Sequence, residues 1–200
     1  MNERTSDPYA SHHGRSVLER VTIIGSSGSG KTTLALTLSR LTGAVYLDTD
    51  AFHWLPDWQE RPRDEYRALV AEGIAGPHWV TDGNYSSMRE HVWNRSDTII
   101  WLDYAMPVVL ARLTQRTWRR LVFREPCCNG NTETVRNLLS RDSLYLWVLR
   151  THYARKQRYR DLLTDAEASG KRVLLFRNPA QTRRWLNEVR ALCAAEGSPC

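Results

Sequence analysis

The sequence predicts a three-layer α/β protein, a five-stranded parallel sheet with helices on both faces. Three observations predict it. Short runs rich in β-branched and aromatic residues alternate with helical runs along most of the 200 residues. Parallel strands joined by crossover helices require that alternation. The first strand run meets the first helix run through a glycine-rich turn, Gly25-Ser26-Ser27-Gly28-Ser29-Gly30-Lys31-Thr32. Residues able to do chemistry collect directly after the strand runs: this turn, then Asp48 and Asp50, Asp82 and Asn84, Asp103, and Arg177. Ligands of such sheets sit beyond the carboxyl ends of the strands, so these positions point to one pocket.

Val21-Thr22-Ile23-Ile24 is short, β-branched and bounded by glycine, as a buried strand should be. The run from Thr33 to Leu41 places Leu34, Leu38 and Leu41 on one helix face, and Gly43 ends it. Ala44–Leu47 reads as the second strand and Asp48-Thr49-Asp50 as its extended continuation. Pro56-Asp57-Trp58 is a loop, and Pro62 opens a helix through Tyr66, Leu69 and Val70. Gly76-Pro77 breaks it ahead of a third strand, His78–Thr81. A short helix from Ser86 carries Met88, Val92 and Trp93, and Thr98–Leu102 is the fourth strand. Pro107 starts a long helix with Leu110, Leu113, Thr117 and Leu121 on one face, Arg112, Arg116 and Arg119 opposite, and Arg120 beside them. After a loop over 124–131, Thr132 caps a helical region with a break, reaching Ser169-Gly170. Arg172–Phe176 is the fifth strand, and the last helix runs from Pro179 through Trp185 and Val189.

The turn at Gly25–Thr32 fits G-x-x-x-x-G-K-[ST], the phosphate-binding loop, and both flanks have the required strand and helix character. Its glycines let the backbone curl so that N–H groups point inward, and the helix start adds positive potential. Gly25, Ser26, Ser27, Gly28, Ser29, Gly30, Lys31, Thr32 and Thr33 are therefore expected to hold a nucleoside triphosphate, read as ATP, with Arg177 contributing from the fifth strand. Lys31 is expected on the β/γ-phosphates and the Thr32 hydroxyl on Mg²⁺. Either Asp82 or Asp103 could complete the metal site, and Asp82 is preferred because its strand lies beside the phosphate-loop strand. In extended chain Asp48 and Asp50 point the same way, so one could hold metal-bound water while the other accepts a proton from an acceptor hydroxyl. Asp50, His53, Asp82, Asn84 and Tyr85 form the expected acceptor side, walled by Phe52, Trp54 and Trp58.

The formal net charge is +6, and the stretch Arg112–Arg160 holds twelve Lys/Arg against three acids, a local +9 that leaves −3 for the remainder. Beside a phosphate pocket such a segment can stabilise moving negative charge and exclude water. Arg116 and Arg120, at i and i+4, are the expected catalytic pair, with Arg124, Arg150 and Arg155 closing from a lid within about 112–160. A DNA-binding surface is the alternative use, although no DNA-binding module is visible. No run approaches the ~18 apolar residues of a membrane span, and residues 1–16 read as a disordered tail ahead of one domain over 17–195. Cys127, Cys128, Cys193 and Cys200 have neither zinc nor disulfide-framework spacing. Reduced thiols in a cytoplasm account for them.

Taken together, Gly25–Thr32, Leu47-Asp48-Thr49-Asp50 with Phe52-His53-Trp54, Trp79–Tyr85 and Ile99–Asp103 resemble the bacterial DNA topology modulation proteins (FlaR-like) over about residues 20–190. That group is similar to adenylate kinases and other small-molecule kinases. The resemblance implies a P-loop NTPase fold with strand order 2-3-1-4-5 and a helical, arginine-rich lid. It also implies phosphoryl transfer from ATP to a small molecule or nucleotide, and a monomer or dimer is expected. The group's name implies an influence on DNA topology, so a nucleotide-switched DNA-binding regulator stands as the alternative. The chain lacks the four-cysteine lid knuckle of some adenylate kinases and the arginine pattern of their AMP site, which argues against AMP as acceptor.

Overall fold

The computed structural model describes residues 18–83, 87–123, 125, 129–131 and 143–195. The expected tail over 1–16, Asn84, Tyr85, Ser86, Arg124, Cys127, Cys128, Thr132 and Cys200 lie outside the described residues. The order is β1 (Arg20–Gly25), α1 (Lys31–Thr42), β2 (Val45–Asp48), α2 (Thr49–His53), a 3₁₀ turn at Pro56–Trp58, α3 (Arg63–Gly73) and β3 (Trp79–Asp82). It continues with α4 (Arg89–Arg95), β4 (Thr98–Leu102), α5 (Met106–Phe123), α6 (Leu144–Ala168), β5 (Arg172–Phe176) and α7 (Pro179–Ala195).

The five strands form one parallel sheet in the order β2-β3-β1-β4-β5, the order the resemblance implies. β1 is central, and Val21, Ile23 and Ile24 are essentially without solvent contact. Successive strand residues face opposite sides. Ile23 accordingly joins Leu34, Leu38, Val109, Leu113 and Trp185 on one face. Ile24 joins Tyr66, Val70, Trp93, Ile99 and Trp101 on the other. Burying each such side chain contributes roughly 1.5–3 kcal/mol, so the two clusters hold the strand that carries the loop rigid from both faces. Helix α6 belongs to both clusters, through Val148 on the first face and Tyr159 and Leu163 on the second. It therefore crosses the sheet's carboxyl end and brings its residues to the loop.

Two local features differ from expectation. The extended chain stops at Asp48, and Thr49–His53 turns into α2. The Asp48 carboxylate accepts a hydrogen bond from Ala51 N–H at 2.9 Å and caps this helix. Asp48 and Asp50 thus do not lie side by side on one strand. Along α5 the buried face carries Val109, Leu113 and Thr117, as the leucine spacing indicates, but Arg112 is not turned away from the core. Its guanidinium reaches back to the phosphate loop.

Candidate active site

The loop between β1 and α1 is shaped by positive-φ glycines. Gly28 has φ +86°, and a Cβ there would lie 2.8 Å from the Val109 carbonyl oxygen and 3.1 Å from Leu113 Cβ. Both are main-chain or core positions of α5 that cannot yield, so a side chain at residue 28 would push the loop off the helix. Gly30 has φ +93°. Left-handed positions alternating with ordinary ones turn successive amides toward one concavity, an anion-binding nest. Ser29 N–H donates to the Ser26 carbonyl at 3.0 Å. Arg112 Nη1 donates to the Ser29 carbonyl at 2.8 Å, pinning the loop to α5.

Lys31 opens α1, and its Nζ donates to the Ser26 carbonyl at 3.3 Å, across the mouth of the loop. Part of the side chain meets solvent, but the ammonium is surrounded by protein, and burial lowers its pKa. Asp82 and Asp50 oppose that shift, whereas Arg155 and Arg116 reinforce it. Lys31, Arg116 and Arg155 thus share one electrostatic neighbourhood with Asp82 and Asp50. Such an excess of cations suits an anionic ligand.

Asp82 ends β3, in register with Asp48 of β2 and Ile23 of β1. Thr32 Oγ1 donates to Asp82 Oδ2 at 2.7 Å, and Tyr46 Oη donates to Asp82 Oδ1 at 2.8 Å. Thr49 Oγ1 donates to the Asp82 main-chain carbonyl. Burial raises the Asp82 pKa, and Lys31 with the two hydroxyls holds the rise back. Asp48 is raised too, first by burial, with Asp82 and Asp50 adding to it. The other strand-end acid, Asp103, is committed elsewhere: its Oδ1 lies 2.9 Å from Lys156 Nζ of α6. The geometry therefore places Asp82, and not Asp103, on the phosphate loop.

The donor set fits a Mg²⁺–triphosphate. Among the described residues no group of three or more His, Cys, Asp or Glu is arranged to hold a metal by itself. Mg²⁺ bound with a nucleotide draws on phosphate oxygens and water plus one or two protein oxygens, and Thr32 with Asp82 offers those oxygens.

His53 ends α2, its ring edge-on to Trp54 and Tyr66 and its Nε2 3.9 Å from Glu60. It packs α2 onto α3. Thr33 is exposed on the first turn of α1 and accepts at its carbonyl from Thr37 Oγ1. Arg177 is exposed after β5, with its N–H on Gln181 Oε1 at 2.7 Å. Arg120, one turn beyond Arg116 on α5, is partly buried. Asn84 and Tyr85 lie outside the described residues.

The sequence reading passed over other members of the site. Tyr46 precedes Asp48 by two, so the strand period would have aimed both at the same side. Thr49 follows in the cap of α2. His152 Nδ1 and Ser26 Oγ share a hydrogen bond at 3.1 Å, although 126 residues separate them. Burial, together with Lys156 and Arg155, lowers the His152 pKa, against a smaller upward pull from Asp103, and favours a neutral ring. No local pattern announces that contact.

No protein-family model matches the chain. It is 26% identical over 129 residues to the uncharacterized protein YqaC of Bacillus subtilis (strain 168), which covers 64% of this chain and 72% of that protein. Among solved structures, a shikimate kinase from Bacteroides thetaiotaomicron matches with a TM-score of 0.51 and 15% identity, covering 88% of this chain and 98% of the other. A shikimate kinase from Acinetobacter baumannii, in complex with shikimate, matches with a TM-score of 0.47 and 17% identity over 92% and 97%. The first of these structural likenesses shows the fold alone.

Proposed function

We propose that this chain is an ATP-dependent kinase that transfers the γ-phosphoryl group to a small-molecule acceptor. The observation that carries the reading is the Thr32–Asp82 hydrogen bond of 2.7 Å at the head of the glycine-rich loop, with Lys31 beside it. In this reading residues 17–195 act as one cytoplasmic kinase domain. Mg²⁺, when bound, would neutralise phosphate charge. Thr32 and Asp82 are the residues that would hold it, and Tyr46 and Thr49 fix Asp82 in place. Lys31 and the loop amides bind the phosphates. Arg116 and Arg155 face the charge that develops on the transferred group, where a guanidinium in a water-poor site is worth a few kcal/mol. Asp50, carried on α2, orients the acceptor hydroxyl or takes its proton.

The test is a metabolite screen for acceptor-stimulated ADP release from ATP and Mg²⁺, run in parallel on Lys31→Ala. We expect at least one acceptor to stimulate the wild type. Lys31→Ala should lose on the order of 10²-fold or more in rate while keeping its far-ultraviolet circular dichroism. A folded Lys31→Ala protein with wild-type turnover would refute the reading.

A further inference from the structure

Beside the phosphate loop, on the side of β3 and α4, lies a small cleft, open to solvent. Thr49, Asp82, Arg89, Trp93 and Tyr159 are among its lining residues. Arg89, the first residue of α4, is partly buried and is held differently from Arg61, Arg95 and Arg112. Arg61, Arg95 and Arg112 each donate to main-chain carbonyls, at 2.7, 2.9 and 2.8 Å respectively. Arg89 instead lies over two aromatic rings, 5.9 Å from the centroid of Trp93 and 5.7 Å from that of Tyr159. Its polar neighbour is the Tyr159 side chain, and no carboxylate among the described residues pairs with it.

A second guanidinium shares the same ring. Arg155 is also 5.7 Å from the Tyr159 centroid, and its Nη2 donates to Tyr159 Oη at 3.1 Å. Its Nη1 is buried with no hydrogen-bond partner among the described residues. Ring stacking offsets part of the cost of taking a cation out of water, but two guanidinium groups on one phenol repel each other. Burial, Arg158 and Arg155 push the Arg89 pKa down, and Tyr159 opposes them. Arg155 belongs to the neighbourhood of Lys31 as well. Arg89 lines the cleft, whereas Arg155 lines the adjoining one, with Tyr159 common to both. An oxyanion within reach of both guanidinium groups would accept from their forks and relieve the repulsion.

We propose that this cleft is the acceptor site and that Arg89, with Arg155 across Tyr159, binds an anionic group of the acceptor, a carboxylate or a phosphate. The proposal rests on the kinase reading and adds to it the charge of the substrate. A neutral polyol would leave the pair unmatched, whereas a hydroxy acid or a phosphorylated alcohol would satisfy it.

The test titrates the full-length protein with inorganic phosphate and, separately, with glycolate, at constant ionic strength. Each titration is run with and without a saturating non-hydrolysable ATP analogue and Mg²⁺. We expect at least one anion to bind the analogue-loaded wild type saturably. Phosphate alone points to a phosphorylated acceptor, and glycolate alone to a hydroxy acid. Arg89→Ala should weaken that binding by about tenfold or more and leave the affinity for the analogue unchanged. Arg89→Lys, which keeps the charge but not the fork, should fall between the two and serves if the alanine variant misfolds. The proposal is overturned if neither anion binds, if both Arg89 variants bind like wild type, or if the analogue weakens in step with the anion. The last outcome would place Arg89 on the triphosphate. Failure of the kinase reading looks different: the analogue itself does not bind, while the anion titrations without it still respond to Arg89.

Discussion

Asp82 is held by a Thr32 hydroxyl at 2.7 Å and a Tyr46 hydroxyl at 2.8 Å while burial raises its pKa. A carboxyl group raised in the folded state binds its proton more tightly folded than unfolded. It therefore detracts from stability at neutral pH, and that loss is recovered as pH falls through the folded pKa toward the ordinary carboxylate range. In the unliganded protein, Asp82→Asn should unfold at a midpoint no lower than wild type near pH 7. The advantage should shrink as both are acidified, because wild-type Asp82 then becomes neutral too. The same variant should lose Mg²⁺-dependent turnover. Paired thermal melts at about pH 7 and about pH 5, with a turnover assay, check this. An Asn variant less stable than wild type at neutral pH would show that the two hydroxyl bonds outweigh burial.

At the scale of elements, α2 and α5 deliver the remaining groups. Because Asp48 caps α2 through Ala51 N–H and Asp50 sits inside the helix, their substitutions should separate. Asp48→Ala removes a cap and should cost about 1 kcal/mol of stability, read as a lower denaturant midpoint. Asp50→Asn should leave the midpoint near wild type and lower turnover by more than it lowers ATP affinity. If ATP affinity falls and transfer per bound ATP is kept, Asp50 serves the nucleotide instead. On α5, Arg116 acts on Lys31, whereas Arg119 is exposed and pairs with Glu125 at 3.0 Å. Arg116→Ala should cost on the order of 10²-fold in rate, Arg120→Ala less, and Arg119→Ala little. Tight DNA binding that weakens and loses salt dependence in Arg116→Ala and Arg120→Ala, without acceptor-dependent ATP use, would favour the DNA-binding alternative.

At the scale of the whole molecule, the 129–131 segment is joined to α2 and the 3₁₀ turn. Asn131, 5% exposed, donates to the Leu55 carbonyl at 2.9 Å and accepts from Trp58 N–H at 3.0 Å. Asn129 donates to the Ala51 carbonyl at 2.7 Å. These bonds join residues more than seventy positions apart and tie the 129–131 segment to α2 and the 3₁₀ turn. Asn131→Ala removes two side chain–main chain hydrogen bonds, a local cost of about 0.5–1.5 kcal/mol each. We expect faster amide exchange over residues 54–58 and more ATP hydrolysis per acceptor phosphorylated, since a looser site admits water. An unchanged ratio of hydrolysis to transfer would show that this contact does not govern water exclusion.

How much of this was legible beforehand follows from the range of the interactions. The loop at Gly25–Thr32, the five strands and the acids at their ends were readable because each depends on neighbours a few residues away: period-2 strands, leucines at helical spacing, glycines at a tight turn. The start of α2 was also within reach, since an Asp cap is a local signal, but the strand reading was carried two residues too far across it. His152 on Ser26, Lys156 on Asp103, Arg112 on Ser29 and the shared ring of Tyr159 were not legible. Each joins residues far apart in sequence, and each exists because α5 and α6 pack across the carboxyl ends of β1 and β4. Twelve basic residues spread over 112–160 announce a positive segment. Which of its side chains face phosphate, which face solvent and which face the acceptor is settled by helix packing, because a helix turns its residues through every direction and only its neighbours decide which of them matter.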